Sequence, residues 1–201
     1  MQLPPELRDL LDDLISTTPT AELARASVAV SERYRRLKGG AFGIASMIEA
    51  KAYLATRFPA TFCAASKTFE ALAAALPGFS PETLLDVGAG PGTAALAALR
   101  RWPALRELDL VEPNAHLQAL GEKLLDAVWR RESIDRAVLD KKYDLAVSAY
   151  VLNELAEEKG ADALEDAVRK MWQAAGQALV IIEPGTPAGQ GIVLRARKIL
   201  L

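Results

Sequence analysis

Apolar positions in the first 80 residues recur at three- and four-residue intervals, the spacing that gathers them on one face of a helix. Leu7, Leu10, Leu11 and Leu14 form the first stripe, and Pro4 and Pro5 suit its start because a first-turn N–H has no intrahelical partner to lose. A second helix is predicted from the cap Thr18 and Pro19 to Lys38, where Gly39-Gly40 stops it, with Leu23, Val30, Tyr34 and Leu37 buried. A third covers about Ile44 to Arg57. Pro59 forces a break before a fourth, about Ala60 to Leu76, which ends at Pro77-Gly78. From Thr83 the period changes. The apolar run Thr83-Leu84-Leu85-Asp86-Val87 ends in glycines and precedes a helix from about Thr93 to Trp102, then the strand Leu108 to Glu112. A helix over about Ala115 to Trp129, a short strand near Ile134 to Val138, a strand from Asp144 to Ala149, a helix over about Asp162 to Ala175 and a strand from Ala178 to Ile182 complete the pattern. Short strands alternating with helices predict an α/β fold whose parallel sheet is covered on both faces. The expected division is a helical region over 1–79 and an α/β domain over 80–201.

Composition excludes several classes. With 51% hydrophobic and 25% charged residues among 201, the chain is too apolar for disorder, and it has no uninterrupted apolar run of about 18 residues to span a membrane. A single cysteine, Cys63, rules out an intramolecular disulfide and a cysteine-built metal cage within these residues. The opening stretch is acidic and prolyl, without the basic and apolar regions of an export signal, so a cytoplasmic protein is expected. Net charge is −2, but unevenly spread: −4 over residues 1–24, +6 over 25–67 and −4 over 68–201. A basic island in an acidic chain is a candidate polyanion site, although charge alone favours a solvated helix face.

The strongest chemical signal is Asp86-Val87-Gly88-Ala89-Gly90-Pro91-Gly92-Thr93, between a strand and a helix. Gly88 and Gly90 let the backbone turn tightly and approach a ligand, and Gly92 opens a helix whose N–H groups are expected to face it. A dinucleotide fingerprint would need its third glycine at position 93, which is Thr93 here. The pattern instead resembles motif I of the class I S-adenosylmethionine-dependent methyltransferases. That resemblance implies that Asp86 and the loop Gly88, Ala89, Gly90 and Gly92 hold the methionine end of the cofactor. Glu112 ends the next strand, followed by Pro113, and an acid there can accept hydrogen bonds from both hydroxyls of a ribose. The adenine pocket should lie near Ile134 to Ala137, with Asp135 as a candidate.

The next strand edge reads Ser148-Ala149-Tyr150-Val151-Leu152-Asn153-Glu154 and by strand order should face the transferring methyl group. Asn153 and Glu154 there either orient a substrate or cap the following helix. No N/D-P-P-Y/F signature of amino-group methylation is present, and Cys63 lies in the helical region, away from where a cytosine C5 nucleophile would be needed. His116, the sole histidine, reads as a surface residue. After the last strand, Glu183-Pro184-Gly185-Thr186-Pro187-Ala188-Gly189 sets a rigid loop at the carboxyl edge, which makes Glu183 a substrate-side candidate beside Tyr150 and Asn153.

Together with Leu3-Pro4-Pro5-Glu6-Leu7, Ser31-Glu32-Arg33-Tyr34-Arg35, Ala52-Tyr53-Leu54-Ala55, Arg57 and Pro59-Ala60-Thr61, these motifs resemble the methyltransferase-like proteins of the mitochondrial small ribosomal subunit and their bacterial relatives. The resemblance implies a helical N-terminal region ahead of a Rossmann-like methyltransferase fold, and a role near small-subunit ribosomal RNA. Arg33, Arg35, Arg36, Lys38 and Arg57 would then meet phosphates. Members of that family continue into the last strands of the sheet and a cysteine-bearing segment that resembles an iron–sulfur site, whereas this chain stops at Leu201, so a sheet ending after its fifth strand is expected. The expected function is S-adenosylmethionine-dependent methylation of small-subunit rRNA. The alternatives are a non-catalytic assembly protein with a methyltransferase fold, and a small-molecule methyltransferase with the N-terminal helices as a lid.

Overall fold

The computed structural model describes residues 3–36 and 43–201, the side chains of 34–36 excepted. Leu37, Lys38 and Gly39-Gly40, and the side chains of Tyr34, Arg35 and Arg36, therefore lie outside the described residues. Four helices come first: α1 (Pro5–Ser16), α2 (Thr20–Arg36), α3 (Met47–Thr56) and α4 (Phe58–Ala75). Ser46 caps α3 by accepting from Glu49 N, and Pro59 sits in the first turn of α4 instead of breaking the chain ahead of it. A first turn tolerates proline because its N–H groups have no helical acceptor.

The alternating part follows as β1 (Thr83–Val87), α5 (Thr93–Arg101), β2 (Glu107–Val111), α6 (Ala115–Gly121), β3 (Val128–Arg130), β4 (Tyr143–Ala149), α7 (Leu152–Lys159), α8 (Ala161–Ala174), β5 (Ala175–Ile182) and α9 (Pro187–Leu200). The strands form a parallel sheet in the order β3-β2-β1-β4-β5. The order reverses between β1 and β4, and at such a switch the loops leaving the carboxyl ends diverge and open a crevice.

Two core clusters cover the two faces. On one, Leu84, Leu110, Leu145 and Val180 of the sheet pack with Leu54, Phe58, Phe62 and Phe69 of α3 and α4 and the alanines of α5. On the other, Leu85, Val87, Val111 and Ala146 pack with Leu152 and Leu155 of α7, Leu164, Val168 and Met171 of α8, and Ala196 of α9. Strands apolar on both sides are what a doubly covered parallel sheet requires.

The third strand is not where the periodicity put it. The segment expected as strand, Ile134 to Val138, begins with a turn in which Arg136 and Ala137 N–H donate to Ser133 O, and the strand is Val128–Arg130. α6 ends at Gly121, eight residues earlier than expected, and Trp129, in register with Leu110 of β2, packs its indole so close to Gly121 that a Cβ there would meet it at 2.3 Å. Arg130 then pairs with Asp109 at 3.2 Å across the two strands. Two helices that the periodicity did not mark, α7 and α9, follow β4 and β5 at the carboxyl edge, and Thr186 caps α9 by accepting from Gly189 N.

Candidate functional site

The glycine loop leaves β1 with φ of +67°, +57° and +78° at Gly88, Gly90 and Gly92. These are left-handed conformations that side chains resist, so the residue type follows from the backbone path. A Cβ at Gly88 would stand 2.2 Å from Val151 Cγ2, whereas one at Gly90 would meet nothing within 4 Å.

The loop spends its own donors. Gly88 and Ala89 N–H donate to Val111 O at 2.8 and 3.1 Å, Gly90 N–H to Glu112 Oε2 at 2.8 Å and Gly92 N–H to Ala89 O at 2.8 Å. At the start of α5, Ala95 N–H donates to Asp86 Oδ2 at 3.1 Å and Leu96 N–H to Gly92 O. An anion cradle needs free N–H groups. In the loop itself they are committed, and so are those of Ala95 and Leu96 of α5. Loop carbonyls remain as acceptors, and acceptors suit an ammonium group far better than a pyrophosphate.

Asp86 is buried, and its second oxygen, Oδ1, has no protein partner. Burial pushes its carboxyl up to about 7. It does not line the cavity described below; it fixes the start of α5. Glu112 joins the loop to its own turn: Oε2 accepts from Gly90 N and Oε1 from Asn114 N at 2.7 Å, and burial raises its pKa above the usual range. Asn114 caps α6 through Oδ1 and donates from Nδ2 to Ile44 O at 2.8 Å, which ties the segment before α3 to this edge.

Around these groups lies a cavity of about 660 Å³, within the usual range of small-ligand sites of about 300–1,000 Å³. Gly88, Gly90, Glu112 and Pro113 line it from β1 and β2, Ser133 and Ile134 from the turn after β3, Tyr150 and Glu154 from beyond β4, and Ile44 and Tyr53 from the helical region. Burial holds the Tyr53 and Tyr150 hydroxyls in their protonated form. Tyr150 is the one non-glycine residue with positive φ, +63°, among those described, and its N–H donates to Ile182 O. Holding a tyrosine there costs about 1–2 kcal/mol, a strain characteristic of functional edges.

The other candidates are placed elsewhere. Ala89 and Gly92 shape the loop without lining the cavity. Asp135 faces Lys159 at 2.8 Å, and that ammonium together with Ser133 holds its carboxyl at about 2; its neighbours Ser133 and Ile134, not Asp135, form the wall. Asn153 Nδ2 donates to Glu157 along α7, and Glu183 Oε1 accepts from Leu152 and Asn153 N at 2.9 and 3.4 Å, capping that helix. Neither lines the cavity. Arg33 makes a two-pronged ion pair with Glu49, at 2.6 and 2.9 Å, and also donates to Gly43 O, so it locks α2 to the entry of α3. That pair pulls the Glu49 carboxyl below its usual range. Arg57, at the corner of α3 and α4, is exposed; the side chains of Arg35 and Arg36 and all of Lys38 lie outside the described residues. Sequence reasoning missed Tyr53, Ile44 and Asn114, although Tyr53 stood within the family motif. Their signal is tertiary: an element remote in sequence folds over the sheet edge.

The model of the family described as "Mitochondrial small ribosomal subunit Rsm22" matches residues 47–201. The chain belongs to the Rsm22 family. A human relative of this family, the mitochondrial ribosome assembly protein METTL17 of Homo sapiens, is 35% identical over 162 residues, which are 74% of this chain and 34% of that protein. The chain thus spans about a third of the length of that relative. Among solved structures, Streptomyces venezuelae DesVI superimposes with a TM-score of 0.53 at 21% identity, over 63% of this chain and 52% of DesVI. The plantazolicin methyltransferase BpumL, solved with SAH, covers 96% of this chain and 69% of its own, with a TM-score of 0.53 at 12% identity. At these identities the likeness establishes the fold of this Rsm22 member, a Rossmann-like methyltransferase fold. The expectation of a cytoplasmic protein is corrected by the same findings, since the family and the human relative are both described as mitochondrial.

Proposed function

We propose that this Rsm22-family chain binds S-adenosylmethionine at the carboxyl edge of its sheet and acts in assembly of the small ribosomal subunit. The observation that carries the first half is the glycine loop with its N–H groups spent beside a buried carboxylate, an arrangement of acceptors. The cofactor's ammonium and ribose hydroxyls are donors, and Gly88, Gly90 and Glu112 are the residues to receive them. Val111, Leu117 and Ile134 supply apolar walls for a purine. Bound there, S-adenosylmethionine would supply an electrophilic methyl on a positively charged sulfur.

Support for the second half is family membership and the human relative's description as a ribosome assembly protein. Two of the three acceptor-side candidates, Asn153 and Glu183, are engaged in building α7. We therefore read the site as a ligand-binding platform for assembly in preference to a methylating centre. Methyl transfer needs mainly alignment, so the enzyme reading has a direct test: labelled methyl from S-adenosylmethionine offered with small-subunit precursors. Incorporation into rRNA would replace the assembly reading. The cap of Ile44 and Tyr53 over the cavity favours a third possibility, a small-molecule acceptor, and incorporation into a low-molecular-weight fraction would establish that one.

Calorimetric titration tests the cofactor half. Micromolar binding of S-adenosylmethionine, weakened at least tenfold by Glu112→Gln, is the expected result; no binding by the wild-type chain overturns it.

A further inference from the structure

The turn after β3 belongs to no strand or helix, yet it forms a wall of the cavity: Ser133, Ile134 and Arg136 line it beside Glu112. Within the turn, Arg136 and Ala137 N–H donate to Ser133 O at 2.9 Å. The carbonyls of Ile134, Asp135 and Ala137 converge on one point, where the ammonium of Lys170 from α8 donates to them at 3.2, 2.8 and 3.5 Å. Lys170 stands at the rim of the buried stripe of α8, next to Met171 and three positions beyond Ala167, which pack in the same cluster as Ile134 and Ala137. We infer that Lys170 is a positioning residue of the cofactor site: by gathering these carbonyls it sets where the purine wall stands, and with it the affinity for the nucleoside half of the ligand. In this role, which rests on the cofactor reading above, Lys170 does not line the cavity and acts through the turn.

The physical basis is the convergence of dipoles. Three carbonyls whose negative ends point at one spot repel one another, and a half-buried place offers them little water in compensation. An ammonium carries three N–H donors and no acceptor, so a single lysine answers all three. Hydrogen bonds from a charged donor are about twice as strong as neutral ones. Lys159 adds a second hold of another kind: from the end of α7 its ammonium meets the Asp135 carboxylate at 2.8 Å. That bond fixes a side chain, whereas Lys170 fixes the main chain on both sides of it. Ile134 and Ala137 also seat the turn in the apolar cluster, so without the ammonium the wall stays folded but less closely placed. A binding wall held less closely loses affinity, because the ligand must then order it.

The experiment titrates S-adenosylhomocysteine and 5′-methylthioadenosine, which carries the nucleoside and sulfur without the amino-acid end, into the 201-residue chain by calorimetry. Amide hydrogen exchange is followed over residues 133–137 in parallel. Lys170→Met should weaken both ligands by the same factor, roughly tenfold, at unchanged stoichiometry, and should speed exchange of the Arg136 and Ala137 N–H groups. Stoichiometry separates the roles: a residue serving only the fold lowers the fraction of molecules that bind and leaves the affinity of the rest alone. Lys170→Arg, which keeps charged donors, should stay within about threefold of the wild type, with Lys170→Gln between the two. Unchanged affinity in Lys170→Met, or in Lys170→Gln where the methionine variant does not fold, overturns the inference. A loss confined to stoichiometry or to S-adenosylhomocysteine also overturns it, as do equal losses in Lys170→Arg and Lys170→Met. Wild-type binding of S-adenosylhomocysteine without 5′-methylthioadenosine overturns it too, since the nucleoside half would then carry no affinity for the wall to set. All these outcomes leave the cofactor reading standing, whereas binding of neither ligand by the wild-type chain overturns both.

Discussion

At Gly88 and Gly90 the same residue type answers two different demands. Both have left-handed φ, so an alanine at either pays about 1–2 kcal/mol for conformation alone. Gly88→Ala must also displace Val151, 2.2 Å from the new Cβ, for a further cost of about 1–3 kcal/mol, while Gly90→Ala enters open space. Urea denaturation should rank Gly88→Ala well below Gly90→Ala, and equal losses would mean that the loop relaxes freely. Asp86 gives a prediction with a sign in pH. Its folded pKa is raised to about 7 from 3.8, so between those values the native state holds a proton that the unfolded chain has released. Stability from this group is present below about pH 4 and is lost as pH rises toward 7, by on the order of a few kcal/mol. Asp86→Asn removes the titration and keeps an oxygen for Ala95 N–H. Relative to the wild type, the variant should therefore gain stability from pH 5 to pH 8; a constant difference would show that Asp86 is not buried as a carboxylate. The glycines and both acids were legible in the sequence because backbone path and strand ends dictate those residue types. The direction each acid faces was not, since an aspartate ending a strand serves a ligand or a helix start equally well.

Among the elements, α7 shows what pattern alone misses. Its eight residues are too few for a clear apolar period, and its N-terminus is capped from a distance by Glu183, 31 positions beyond Leu152. Sequence reading made Glu183 a substrate-side candidate because a carboxyl-edge loop is where ligands sit, and left Asn153 between a substrate and the following helix; in the structure Glu183 caps α7 and Asn153 bonds along it. Glu183→Ala should cost about 1–2 kcal/mol, as losses of helix caps do, and should leave S-adenosylmethionine affinity within about twofold of the wild type among the folded molecules. A loss of affinity far exceeding the loss of stability would return Glu183 to the site. The third strand was misplaced for a related reason. Val128–Arg130 has three residues, fewer than any alternation can mark, and is specified by Trp129 against Gly121 and by the Arg130–Asp109 pair. Long apolar runs such as Leu84-Leu85 and Leu145 to Val147, buried on both faces, were readable without any partner in view.

Across the whole molecule, the division of the chain near residue 80 is a division of sequence pattern more than of core. Phe58, Phe62 and Phe69 of α4 are almost fully buried in the same cluster as Leu84, Leu110 and Leu145 of the sheet, and Asn114 binds Ile44 across the mouth of the cavity. Folding of the two parts should therefore be coupled, with one cooperative urea transition by tryptophan fluorescence and by circular dichroism; two separate transitions would restore independent domains. That coupling decides how the basic island has to be tested. Arg33 belongs to the fastening between α2 and α3, through a two-pronged pair with a half-buried Glu49, so Arg33→Glu places two carboxylates together and weakens the cap over the cavity. Lost RNA retention in that variant would say nothing about phosphate contacts. Arg57 is exposed at the corner of α3 and α4, and no ion pair holds it among the described residues. If the island meets rRNA, Arg57→Glu should leave the urea midpoint within about 0.5 kcal/mol of the wild type in free energy. It should also weaken retention on small-subunit rRNA and lower the slope of log affinity against log salt by about one. Unchanged retention and slope at unchanged stability would remove this corner from the RNA surface and leave the contact to α2, where Arg35 and Arg36 stand.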